Sequence, residues 1–112
     1  RIEEVIKAVL VECKKLRDEK VDEDELSKVK EYLIGNTKLS LEASDDIANF
    51  FGGQELLRGK MEDIEEKSKH IRKVTVKQVQ ELAKEIFTDK HLNLALIGPF
   101  TEKADFIKLL NL

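Results

Sequence analysis

Cysteine, proline, tryptophan and long apolar runs are what this chain of 112 residues has least of. Its single cysteine, Cys13, excludes an internal disulfide framework. Cys13 lies on an apolar helical stripe with no histidine or basic pocket implied beside it. It therefore reads as a small core residue rather than a reactive thiol. One proline and five glycines leave little to interrupt helices. No apolar run approaches the roughly 18 residues that a bilayer span needs, and no stretch reads as a signal peptide. A basic excess is also missing. With 20 Lys and Arg against 23 Asp and Glu, the net charge is -3. That balance argues against nucleic acid as the main partner, because phosphate binding needs a basic face. No membrane partner is expected either.

The chemical motifs are equally sparse. There are two histidines, His70 and His91, and neither belongs to a His-x-x-Glu-His or His-Glu-x-x-His pair. Glu66 and His70, four apart, could both face a metal, but on a helix so rich in Glu and Lys they read as a solvated pair. His91 reads as an exposed turn residue. Ser27, Ser40, Ser44 and Ser68 lack a glycine elbow or a convincing base. Gly98-Pro99 is not a phosphate loop. The Asp45-Asp46 and Glu65-Glu66 pairs read as cap charges and solvated faces, and Phe50-Phe51 as core packing. The expected catalytic, cofactor-binding and metal sites of this chain are therefore none.

What is present is hydrophobic patterning: 41% of the residues are hydrophobic and 38% charged, enough for one domain with a real core over residues 1–112. Arg1 to Asp18 reads as an amphipathic helix on Ile2, Val5, Ile6, Val9, Leu10, Cys13 and Leu16. The second helix starts at Asp22, with Glu25 placed to complete a capping box and Val21 and Leu26 to staple it. Its apolar face runs through Leu26, Val29, Leu33 and Thr37, with Lys30 beside them. Gly35-Asn36 marks a bend or an end. Ser44 or Asp45 could cap the next helix, which carries Ile47, Ala48, Phe50, Phe51, Leu56 and Leu57. Gly52-Gly53 either admits another backbone or breaks that helix, and Gly59 stops it. Met61 to Lys73 reads as a charged surface helix. Thr75 and Gln78 form a capping box for a helix to about Phe87, stapled by Val74 and Val79. Leu92 to Ile97 reads as a strand closed by Gly98-Pro99. Thr101 is expected to cap a last helix on Ala104, Phe106, Ile107 and Leu110. The expected fold class is α+β, predominantly helical, with about five helices and one main strand over residues 92–97.

Five segments in succession carry a family resemblance. They are Asp24 to Gly35, Leu41-Glu42-Ala43-Ser44 with Ile47-Ala48, Phe51-Gly52 through Leu56, Val74-Thr75-Val76 with Val79 and Ala83-Lys84 to Phe87, and Asn93 to Pro99. From about Glu4 to Pro99 the chain resembles the C-terminal, non-metal domain of insulinase/pitrilysin-type zinc metallopeptidases, mitochondrial processing peptidase among them. The resemblance implies the later half of a two-layer α/β peptidase domain. It implies a non-catalytic role in enclosing a peptide substrate, with zinc held by a separate N-terminal domain that would be the partner. It assigns no functional residue here. Because the chain opens at Arg1 in mid-pattern, it reads as a piece of a longer protein. A soluble setting follows, such as a bacterial cytoplasm or an organelle matrix. The alternative is a helical interaction or scaffold module with no peptidase role. Unpaired apolar backbone at 92–97 further suggests self-association through that strand.

Overall fold

The computed structural model describes all of residues 1–112, and they form helices and loops without a sheet. Six α-helices follow one another: α1 (Ile2–Asp18), α2 (Glu23–Ser40), α3 (Ser44–Arg58), α4 (Ile64–Lys73), α5 (Val76–Ile86) and α6 (Lys103–Ile107). A short 3-10 turn spans Asp89–His91. No helix is long and apolar enough to cross a membrane.

The α+β expectation is thus corrected, because Leu92 to Ile97 forms no strand. No backbone hydrogen bond joins residues 93–97 to any other segment. A strand exists only through a partner's N–H and C=O groups, and no second segment of this chain is extended and apolar enough to supply them. The run is left open to solvent, with Ile97 fully exposed and Leu94 and Leu96 each 36% exposed.

The chain divides into two compact units. The first comprises residues 1–21 and 75–112, where α1 packs on α5. Ile6 and Ala83 are buried there. Ile2, Leu10, Cys13 and Arg17 share the covered side of α1, while Val5 and Val9, on the expected stripe, stay 56% exposed. Two long-range bonds tie the pair. Gln80 Nε2 donates to the Arg17 carbonyl at 3.2 Å. The Arg17 guanidinium donates to the Phe87 carbonyl at 3.4 Å.

The second unit, residues 22–74, is built on α2 against α4. Asp22 caps α2, its carboxylate accepting from the amides of Asp24 and Glu25. The helix runs straight through Gly35-Asn36 to Ser40. Its buried face is Leu26 and Ile34 with Lys30 half-buried between them. Val29 and Leu33, expected on that face, are 45% and 47% exposed. Periodicity alone placed the stripe about one residue off, because Lys30 reaches across its apolar stem to donate to the Arg72 carbonyl at 3.0 Å. On α4, Ser68 is wholly buried and donates to the Ile64 carbonyl at 2.6 Å.

Two expected caps are also corrected. The N-cap of α3 is Ala43, so Ser44 and Asp45 lie inside the helix, where an acid still favours the positive end of the dipole. The N-cap of α6 is Glu102 rather than Thr101, without a side-chain bond. Gly59 does end α3, in the left-handed conformation at φ 63°, where glycine avoids a Cβ clash. The Thr75–Gln78 box forms in full: Thr75 Oγ1 accepts from the Gln78 amide at 3.2 Å, and Gln78 Oε1 accepts from the Thr75 amide at 3.0 Å. Thr75→Ala should cost about 1 kcal/mol of stability. Chemical denaturation monitored by circular dichroism checks this, and an unchanged midpoint would mean that the box contributes nothing.

Candidate functional site

Three of the titratable groups singled out in the sequence, Glu65, Glu66 and His70, fall on α4. Asp63 accepts from the Glu66 amide at 2.8 Å, and Glu66 Oε2 accepts from the Asp63 amide at 3.2 Å. This second capping box has the same three-residue spacing as Thr75–Gln78 and was legible in the sequence on that signal. The helix therefore begins at Ile64 instead of Met61. Gln54 clamps the loop from α3: its side-chain amide donates to the Glu62 carbonyl at 3.1 Å and accepts from the Glu62 amide at 3.0 Å. No local pattern announces such a contact.

The clamp aims the Glu62 carboxylate at His70, whose Nδ1 lies 3.3 Å away. Lys60 Nζ stands at 3.8 Å from the same side chain. Glu66, the residue sequence spacing pairs with His70, is instead engaged by its cap. No group of three His, Cys, Asp or Glu side chains converges to hold a metal ion. His91 closes its turn through a 3.1 Å contact between Nδ1 and Thr88 Oγ1.

The remaining candidates are dispersed. Ser40 donates to the Thr37 carbonyl at 2.9 Å, and Ser68 lies sealed between helices. Asp45-Asp46 and Glu65-Glu66 occupy the first turns of α3 and α4, where negative charge answers the helix dipole. Phe50 and Phe51 pack edge to face at 5.1 Å between centroids, and Lys67 Nζ sits 5.0 Å from the centre of the Phe50 ring. Both rings are half-buried. In the other unit, Phe100 and Phe106 pack at 5.2 Å beside Leu94 and Leu96, around an open groove of about 290 Å³.

Ion pairs set the electrostatics. The Arg72 guanidinium holds the Glu31 carboxylate below its ordinary range, first by hydrogen bonding at 3.2 Å and then by charge. Arg17 does the same to Asp18 at 2.7 Å. Both pairs are well solvated, so each adds little to stability. The Glu31 contribution is complete above its ordinary value of 4.5 and fades as the pH falls through the lower folded value. Arg72→Met should accordingly flatten the loss of stability seen on acidification below about pH 4.5. Denaturation midpoints across that range test it, and an unaltered slope in the variant would contradict it.

These groups bind, cap and orient; they do not assemble a nucleophile with a base. No protein-family model matches the chain, nor does any solved structure. Over 84 residues it is 33% identical to the uncharacterized zinc protease YmxG of Bacillus subtilis strain 168. The match takes in 75% of this chain and 20% of that protein, so the chain spans about a fifth of the relative's length.

Proposed function

We propose that this chain is a non-catalytic part of a zinc metallopeptidase of the insulinase/pitrilysin type, helping to enclose a peptide that a separate metal-bearing domain cleaves. The observation that carries this reading is the 33% identity over 84 residues to a zinc protease. The series of motifs from Asp24 to Pro99 points the same way. Glu66 is engaged in a cap and Glu62 and His70 contact one another, which leaves shape and packing as what this chain offers a peptide. Zinc belongs with the metal-bearing domain in this reading.

The test is made on the longer polypeptide that carries this segment. Deleting residues 1–112 should abolish peptide hydrolysis while leaving its zinc content unchanged. Full hydrolysis by the deletion, or a polypeptide with no His-x-x-Glu-His motif, would refute the peptidase role and leave the scaffold reading. The chain by itself should bind no stoichiometric zinc, because a closed site needs about four ligands and the two histidines stand on different elements. Calorimetric titration showing one equivalent bound at submicromolar affinity would overturn this expectation.

A further inference from the structure

We draw no further inference here: the strongest candidate, the exposed apolar run of residues 92–97 with the open groove that Leu94, Leu96, Phe100 and Phe106 line beside it, carries nothing because nothing in the structure shows what covers it.

Discussion

Ser68→Leu will destabilise the α2–α4 unit by about 2–3 kcal/mol, whereas Ser68→Ala will leave it close to its starting stability. Ser68 has no exposed surface and sits where α4 packs on α2. The site takes a side chain of two heavy atoms, and a leucine must push the two helices apart or adopt a strained rotamer. Its hydroxyl spends its hydrogen bond on the Ile64 carbonyl one turn back, at 2.6 Å. That carbonyl is already in the helical ladder, so removing the hydroxyl strands no polar group. The contrast between the two variants is the informative quantity. Denaturant midpoints measure it, and equal losses for alanine and leucine would show that the hydrogen bond, not the space, decides the site.

Ile6→Ala will cost about 2–4 kcal/mol, while Val9→Ala on the same helix will stay within about 0.5 kcal/mol. Ile6 is 7% exposed and lies on the side of α1 that meets α5, with Ala83 buried at 5% on the opposing helix. Truncation there removes transferred apolar surface and leaves a cavity that two helices cannot fully close. Val9 belongs to the same sequence stripe and is 56% exposed. Thermal and denaturant unfolding of the two variants tests the distinction. A loss at Val9 as large as that at Ile6 would mean that both sides of the stripe are covered in solution.

These comparisons show how far the amino-acid pattern reaches. The helices α2 and α5 were legible because their start signals are local, and α1 because its apolar residues recur at helical spacing. Asp22 with the amides of Asp24 and Glu25, and Thr75 with Gln78, act within one turn and need no tertiary partner, although the return bond expected of the Glu25 side chain does not form. The end of α3 at Gly59 was legible for the same reason.

The face that each helix buries was decided only in the folded chain. The α1 stripe is wide enough to be covered from either side, and α5 covers the side of Ile6 rather than that of Val5 and Val9. On α2 a lysine displaces a valine from the covered side because its ammonium finds the Arg72 carbonyl 42 residues away. Gln54 likewise becomes a clamp only when the loop at Glu62 returns beneath it. Leu92 to Ile97 makes the division plainest. Its composition determines that it is apolar and apt for extension, but a strand is a relation between two segments. Local signals act over one helical turn, so the sequence settles where α2 and α5 begin. Burial and pairing need a second surface, and only the tertiary structure decides which surface is there.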